Sequence, residues 1–189
     1  MFAYQLLHKV NLNTGLLESA RYAPSTHYNE RPSPTDISLL VIHSISLPPG
    51  QFQGTDVEDF FCGRLKFDRH PSYSTIESLK VASHLFIRRN GEIIQFVPFT
   101  KRAWHAGESR FGDRSNCNDF SIGIELEGSD FLPYETEQYS QLSSVIKALM
   151  LAYPAITAER IVGHCDIAPG RKTDQGPSFD WSILKGNIV

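Results

Sequence analysis

The sequence predicts a mixed α/β fold in which a central mixed β-sheet is flanked by helices within a single domain. Residues 39–42 and 161–162 form short apolar runs, which are typical of strands buried on both faces. Residues 135–152 repeat apolar side chains at helical spacing, which predicts one long helix. Asn90-Gly91 joins two β-like runs, and the tolerance of this pair for positive φ favours a tight hairpin.

The length of the chain fits one domain. At 189 residues it is long enough to bury a core without disulfides or a structural metal, so any bound metal is expected to serve function. Residues 1–38 end in a proline-rich stretch that favours an extended path, and we expect them to wrap around the same domain. Residues 39–189 form the domain that carries the chemistry, and we expect a monomer.

Charge and cysteine content narrow the function classes. The chain has 18 Lys and Arg against 21 Asp and Glu, dispersed along its length, which argues against nucleic acid or a membrane surface as partner. The first residues lack the basic and apolar pattern of an export signal, and no apolar run reaches membrane-spanning length. The three cysteines form no CxxC pair, which favours a reducing compartment. We therefore expect a cytoplasmic protein.

The first half of the chain contains three further elements. Residues 39–44 are predicted to form a buried strand with His43 near its C-terminal end. Thr55 and Glu58 have the spacing of a capping box, which predicts a helix over 55–66. Residues 82–88 and 92–97 are the two strands of the predicted hairpin.

The second half supplies a strand with acidic residues on one face. In residues 121–127 apolar residues alternate with small or acidic ones, so Glu125 and Glu127 share a face. One face is expected to pack in the core and the other to be polar, with Glu127 solvated. Residues 161–162 form a last short strand leading to His164, and Asp180 is expected to cap a short terminal helix.

The remaining histidines are given structural or surface roles. We expect His84 to be a hydrogen-bonded histidine of the core, and His8, His27 and His70 to lie on the surface.

Residues 163–177 form a loop rich in glycine, proline and possible metal ligands. An open zinc site needs three protein ligands, and two histidines with a carboxylate satisfy that count. His43, His164 and Asp174 fit, but Cys165 and Asp166 adjoin His164 and are also suitable ligands. Spacing alone leaves these alternatives open.

Several motifs in the same order resemble one enzyme family. Residues 122–128, 104–107 and 163–169 together resemble the zinc-dependent N-acetylmuramoyl-L-alanine amidases related to phage T7 lysozyme and the peptidoglycan recognition proteins. The resemblance extends from about residue 39 to residue 181 and implies the mixed α/β fold of that family. Within the family, residues 118–121 and 171–174 resemble the branch that cleaves 1,6-anhydro-N-acetylmuramyl-L-alanine during cell-wall recycling.

The resemblance implies a cofactor and a set of site residues. It implies Zn²⁺ bound by His43, His164 and Asp174, with Asp174 standing where the recognition proteins use a cysteine. Glu125 and Lys172 match the catalytic pair of the family. Amide hydrolysis fits these residues, since a carboxylate can transfer protons and an ammonium group can stabilise an oxyanion.

The expected substrate is a small anhydro-muropeptide. The residues expected to contact it are Trp104, His105, Lys80, Asn116 and Ala168, with Arg110, Arg114 and Arg171 as further cations. For Trp104 and His105 a structural role is the alternative that the sequence leaves open. The recycling branch of the family usually has arginine where Lys80 and Asn116 stand. Neither residue can bind a carboxylate bidentately, so the stem-peptide contacts are expected to differ or to be weaker.

Two alternative functions use the same residues. One is an amidase acting on polymeric peptidoglycan, which the missing export signal argues against. The other is a non-catalytic muropeptide sensor, which the complete set of ligands with Glu125 and Lys172 argues against.

Overall fold

The structure, a computed structural model, describes residues 7–188. In chain order the strands are β1 (Val10–Asn11), β2 (Leu16–Leu17), β3 (Arg21–Tyr22), β4 (Tyr28–Glu30), β5 (Leu39–Ile45), β6 (Leu85–Ile87), β7 (Ile93–Gln95), β8 (Lys101–Ala103), β9 (Arg110–Phe111), β10 (Arg114–Ser115), β11 (Ser121–Glu127) and β12 (Ile161–Gly163). The helices are α1 (Asp56–Phe61), α2 (Thr136–Ala152), α3 (His164–Ile167) and α4 (Trp181–Ile188). Short 3-10 helices lie at Phe67–Arg69, Pro71–Thr75, Cys117–Asp119 and Ala158–Arg160.

A six-stranded mixed sheet organises the molecule. Its strand order is β12-β5-β11-β6-β7-β3. The strands β12, β5, β11 and β6 run parallel, whereas β6 and β7 form the predicted antiparallel hairpin. The mixed α/β prediction is therefore confirmed, and the carboxyl ends of four adjacent parallel strands meet at one edge of the sheet.

One face of the sheet packs against the two longest helices. Alternate residues of β5 and β11, including Leu40, Ile42 and Ile124, join a cluster with α2 and α4 and are fully buried. Each such side chain contributes about 1.5–3 kcal/mol through its burial. Among residues 7–188, no helix combines the length and the apolar character needed to cross a bilayer.

Strand β11 is buried on both faces, so the expectation of a solvated Glu127 is wrong. Glu127 is 3% exposed, and its two carboxylate oxygens accept the backbone N–H groups of Gln53 at 2.6 Å and of Arg89 at 3.0 Å. The Arg88 guanidinium lies 3.9 Å away. Glu127 thus holds the backbone segments at Gln53 and Arg89 against the end of the strand.

Replacing Glu127 with Ala is expected to lower the free energy of unfolding by roughly 2–3 kcal/mol, because two buried amides lose their acceptor. Urea unfolding of the parent and the variant measures this change. Glu127→Gln keeps one acceptor oxygen, so its loss should be smaller. A Glu127→Ala midpoint equal to that of the parent would contradict the structural role.

The predicted helix over 55–66 is shorter than expected, and its capping box is absent. Helix α1 ends at Phe61, and Gly63 follows with a φ of 69°. The Thr55 hydroxyl donates to Asp59, while the Glu58 carboxylate accepts from the Arg21 guanidinium. Glu58 therefore pairs with a distant cation instead of with the start of its own helix.

The long helix has a capping box of its own. Glu135 precedes α2, and its backbone N–H donates to the side-chain oxygen of Gln138 at 3.0 Å. The Gln138 amide in turn donates to the carbonyls of Ile87 and Glu127. The start of α2 is thereby fixed to the ends of β6 and β11. Asp180 caps α4 as predicted, accepting from the Ser182 backbone N–H at 2.8 Å.

The described part of the N-terminal segment, residues 7–38, is integrated with the sheet, and residues 1–6 lie outside the described residues. Strand β3 is an edge strand of the six-stranded sheet, and β4 pairs with β8. Arg31 is 4% exposed and donates to the carbonyls of Phe99, Asn118, Asp119 and Ser121. The division of the chain at residue 38 stays a prediction.

His8 belongs to this integrated segment, and its expected surface position is wrong. It is buried, with its ring nitrogens 2.6 Å from the Ser19 hydroxyl and 2.8 Å from the Gln141 side-chain oxygen.

Candidate metal centre and active site

The carboxyl ends of the parallel strands place three functional side chains together. Glu125 of β11 stands directly opposite His43 of β5 in the parallel register, so the two side chains share one face of the sheet. His164 follows β12 and is the first residue of α3. Ligand sites of open α/β sheets lie at this end of the strands.

The loop after α3 returns Asp174 to the same point. The Cys165 backbone N–H donates to the Asp174 carbonyl at 2.9 Å, and the Tyr134 hydroxyl donates to the Gln175 carbonyl at 2.7 Å. Gly163 leaves room for the buried Gln175 side chain, since a Cβ at Gly163 would lie 2.0 Å from Gln175 Oε1. The loop is thus attached to the body of the protein at Asp174 and at the residue that follows it.

Three side chains form a compact donor cluster. His43 Nδ1 lies 2.9 Å from His164 Nδ1, and Asp174 Oδ2 lies 3.3 Å from the first and 3.0 Å from the second. Ligand atoms about 2.0–2.1 Å from a tetrahedral zinc stand roughly 3.3 Å apart. The spacing of the three donors therefore fits a zinc ion with a fourth position left over.

Hydrogen bonding and burial favour the metal-binding form of both imidazoles. His164 Nε2 lies 3.1 Å from the Ala106 carbonyl, which only accepts, so the proton resides on Nε2 and Nδ1 keeps its lone pair. Burial lowers the pKa of His43 to about 4, so this ring is neutral near pH 7. Although burial opposes it, contact with the two histidines lowers the pKa of Asp174. Three lone pairs directed at one point require a cation, and the donor set fits zinc.

The two rival ligands beside His164 point elsewhere. Asp166 Oδ2 accepts the Gly163 backbone N–H at 2.7 Å and caps α3. Cys165 Sγ lies 4.0 Å from the other oxygen of Asp166. The structure thus brings together His43, His164 and Asp174, without Cys165 or Asp166.

A cavity of about 220 Å³ adjoins the donor cluster and contains both predicted catalytic residues. It is lined by His43, His164, Asp174, Glu125, Lys172, Trp104, His105 and a set of mainly apolar residues. Glu125 is 8% exposed, and its Oε2 atom has no hydrogen-bond partner within residues 7–188. Burial and the neighbouring Asp174 charge raise the pKa of Glu125 well above its ordinary value, while Lys172 opposes this. A buried, unpaired carboxyl group with a raised pKa is suited to proton transfer.

The residues predicted to contact substrate are divided between two cavities. Trp104 and His105 line the first, where the Trp104 ring stacks on His27 and its Nε1 donates to Asn29 at 2.9 Å. Asn116 and Ala168 line a neighbouring cavity of about 520 Å³. Lys80 is exposed and lines neither cavity.

The three arginines are also separated. Arg110 and Arg171 line the larger cavity, and Arg171 donates to the carbonyls of Ala106 and Glu108. Arg114 instead pairs with Asp36 at 2.5 Å.

Sequence reasoning missed the apolar wall of the smaller cavity. The wall consists of Phe60, Phe61, Ile76, Leu79 and Val81. Phe60 and Phe61 lie within the helix predicted over 55–66, and that pattern does not show that they border a cavity. Leu79, which is 46% exposed, carries no sequence signal that separates a cavity wall from a surface leucine.

Comparison with known proteins agrees with this arrangement. Residues 33–177 match the N-acetylmuramoyl-L-alanine amidase family. The chain is 55% identical to the 1,6-anhydro-N-acetylmuramyl-L-alanine amidase AmpD of Citrobacter freundii, over 94% of this chain and 95% of that protein. A crystal structure of a selenomethionine AmpD derivative superimposes with a TM-score of 0.92 at 52% identity, covering 95% of this chain and 100% of the other.

A second solved structure contains a ligand. It is a complex of the N-acetylmuramyl-L-alanine amidase AmiD from E. coli with the substrate anhydro-N-acetylmuramic acid-L-Ala-D-γ-Glu-L-Lys. It superimposes with a TM-score of 0.60 at 32% identity, covering 82% of this chain and 58% of that one. The family match over most of the chain, the identity to AmpD and the shared fold establish that this protein belongs to the N-acetylmuramoyl-L-alanine amidase family.

Proposed function

We propose that this protein is a zinc-dependent amidase that hydrolyses the bond between the lactyl group of 1,6-anhydro-N-acetylmuramic acid and L-alanine. The observation that carries the proposal is the three-donor cluster of His43, His164 and Asp174 beside an unpaired, buried Glu125 carboxyl group. The identity to AmpD supports the choice of bond. The substrate named in the AmiD complex is of the same chemical class.

The metal is assigned to the donor cluster. His43 and His164 would hold zinc through Nδ1, and Asp174 through Oδ2, which leaves one position for water or substrate. When bound there, zinc supplies Lewis-acid polarisation of the amide carbonyl and acidification of water. Glu125 and Lys172 are outside this set. Glu125 remains available for proton transfer, and Lys172 remains available to stabilise negative charge.

Glu125 is proposed as the general base and then the general acid. Its strand is hydrogen-bonded on both sides, to β5 and β6, so the carboxyl group projects from a rigid element. The unpaired Oε2 atom can accept the proton of the attacking water and then donate it to the departing nitrogen of L-alanine. Burial and the Asp174 charge raise the pKa of this carboxyl group, which makes its carboxylate a stronger base toward the proton of the attacking water.

Lys172 is proposed to stabilise the oxyanion. It lines the same cavity as Glu125 and lies two residues before Asp174 in the attached loop. An ammonium group held near the reacting carbonyl favours the negative charge that develops in the transition state.

Substrate contacts are proposed for both cavities. Trp104 lines the smaller one together with the apolar wall, a surface suited to the sugar ring and its acetyl group. Asn116, Ala168 and Arg171 line the larger one, where the stem peptide would extend. Lys80 is proposed only as a peripheral cation, since it lines neither cavity.

We place this activity in the cytoplasm, as a monomer acting in peptidoglycan recycling. The three cysteines are unpaired, which is consistent with a reducing compartment. We also propose that residues 1–38 belong to the amidase domain, because β3 forms an edge of the central sheet.

The test is hydrolysis of purified anhydro-N-acetylmuramyl-tripeptide, with products identified by mass spectrometry. Intact peptidoglycan is treated in parallel, and a chelated sample is the control. The proposal requires free tripeptide, whose release stops on chelation and returns with added zinc. Release only from the polymer would favour a wall-degrading amidase, and release from neither would favour a sensor.

A further inference from the structure

His105 lies behind His43 and is itself held in place. His43 Nε2 is 2.9 Å from His105 Nδ1, and His105 Nε2 is 3.1 Å from the Ser121 hydroxyl oxygen. His105 is 9% exposed, and the two histidine rings meet edge to face. Both ring nitrogens of His105 are therefore engaged within the protein, although the ring also borders the smaller cavity.

The direction of these hydrogen bonds follows from the metal assignment. A His43 Nδ1 atom that binds zinc has no proton, so the proton of the neutral ring lies on Nε2. That N–H donates to His105 Nδ1, which leaves the proton of His105 on Nε2, facing the Ser121 oxygen. The chain from His43 to His105 to Ser121 thus selects one tautomer at each ring.

The position of the His105 ring depends on a residue with no side chain. A Cβ at Gly123 would lie 2.5 Å from both Cγ and Nδ1 of His105. Ser121, Gly123 and Glu125 are alternate residues of β11 and share one face of the sheet. On this face Ser121 supplies the hydroxyl partner of His105, Gly123 leaves the space for the ring, and Glu125 carries the catalytic carboxyl group.

Four further hydrogen bonds fix the backbone around the ring. The Asn118 side-chain oxygen accepts the backbone N–H groups of His105 and Ala106 at 3.2 and 2.8 Å. The Gly123 N–H donates to His84 Nδ1 at 3.0 Å, and Arg31 donates to the Ser121 carbonyl at 2.7 Å. The backbone around the His105 ring is thus held by side chains that lie outside the smaller cavity.

We propose that His105 is a positioning residue, which holds His43 in the orientation and tautomer that present Nδ1 to the metal, and that Gly123 is required because the His105 ring occupies the space of a Cβ. The proposal rests on the zinc site of the proposed function. It gives His105 a role distinct from the substrate contact expected from the sequence.

The test measures the zinc dissociation constant by competition with a chromogenic chelator. Removing a partner that orients a metal-binding histidine lowers metal affinity by roughly 10–100-fold. His105→Leu is therefore expected to weaken zinc binding by that factor. His105→Asn retains an acceptor near the position of Nδ1 and is expected to recover most of the affinity. His8→Leu removes another buried, twice-bonded histidine and should leave zinc affinity unchanged.

Two milder variants keep the test decisive if His105→Leu does not fold. Gly123→Ala should displace the ring and weaken zinc binding, while Ser121→Ala should produce a smaller loss, of about three- to tenfold. Thermal unfolding of each metal-free variant separates a change in affinity from a loss of structure. Equal dissociation constants for the parent, Gly123→Ala and Ser121→Ala would overturn the inference, whereas absence of zinc binding by the parent would overturn the proposed function as well.

Discussion

Replacing Glu125 with Gln is expected to reduce kcat by roughly 10²–10⁴-fold, while zinc and the muropeptide stay bound. Glutamine has nearly the same shape as glutamate, so it preserves the packing of β11. Its amide cannot take a proton from water or return one to the departing nitrogen. The loss should therefore appear in kcat, with KM changed little.

The surroundings of Glu125 explain why the effect should be large. Its Oε2 atom has no hydrogen-bond partner in the part of the chain that the structure describes, so the group is not needed as a structural acceptor. Burial and the Asp174 charge raise its pKa, which prepares it to hold and release a proton. An unpaired carboxyl group in a cavity reduces stability, and proton transfer is the function that this arrangement favours.

Steady-state kinetics with anhydro-N-acetylmuramyl-tripeptide, together with zinc analysis of the purified variant, tests this expectation. Glu127→Gln is a matched control, since it makes the same chemical change two residues along the same strand face. Glu127 contacts the amides of Gln53 and Arg89 rather than the cavity, so its kcat should stay within about threefold of the parent. A Glu125→Gln variant with a similarly small change would remove Glu125 from the mechanism.

The fold was predictable because it depends on local pattern, whereas the donor cluster was implied by the family resemblance, since spacing alone also allowed Cys165 and Asp166 as ligands. An apolar run predicts β5, and the alternation of residues 121–127 places Glu125 on a defined face. Two strands that end near each other bring His43 and Glu125 together without any knowledge of the loops. The helix over 135–152 was predictable for the same reason, since its apolar residues recur within a single segment.

The predictions that were wrong concern side chains whose surroundings depend on contacts between distant parts of the chain, which local pattern does not reveal. Glu127 has the pattern of a solvated residue, yet the amide of Gln53 that it accepts lies 74 positions away. His8 is buried through Gln141, 133 positions away. No periodicity records such pairings, so the sequence assigned both of these side chains to the surface.

Replacing Asp174 with Ala is expected to weaken zinc binding on the order of 10²-fold or more and to remove turnover with it. Loss of an outer partner of a metal ligand already costs roughly 10–100-fold, and loss of a direct ligand should reach or exceed the upper end of that range. The two Nδ1 atoms would remain 2.9 Å apart without the carboxylate that completes the set.

The controls address the alternatives that spacing left open at residues 165 and 166. Cys165→Ser and Asp166→Asn should both keep the parental zinc affinity, since Cys165 is not part of the donor cluster and Asp166 caps α3 through the Gly163 N–H. Asp174→Cys should retain zinc, because a thiolate is also a zinc ligand, at about 2.3 Å. The same chelator competition measures all four variants.

This set of variants distinguishes two possible roles of the Asp174 carboxylate. It can bind the metal directly, or it can affect the metal only by maintaining the conformation of the loop. The loop is attached by backbone contacts, from the Cys165 N–H to the Asp174 carbonyl and from the Tyr134 hydroxyl to the Gln175 carbonyl, which the Asp174 substitutions leave in place. Zinc affinity should therefore follow the chemistry of the side chain at 174: lost with Ala, retained with Cys. Parental affinity in Asp174→Ala together with a loss in Cys165→Ser would move the third ligand to the thiol, and with it the orientation of the whole loop around the metal.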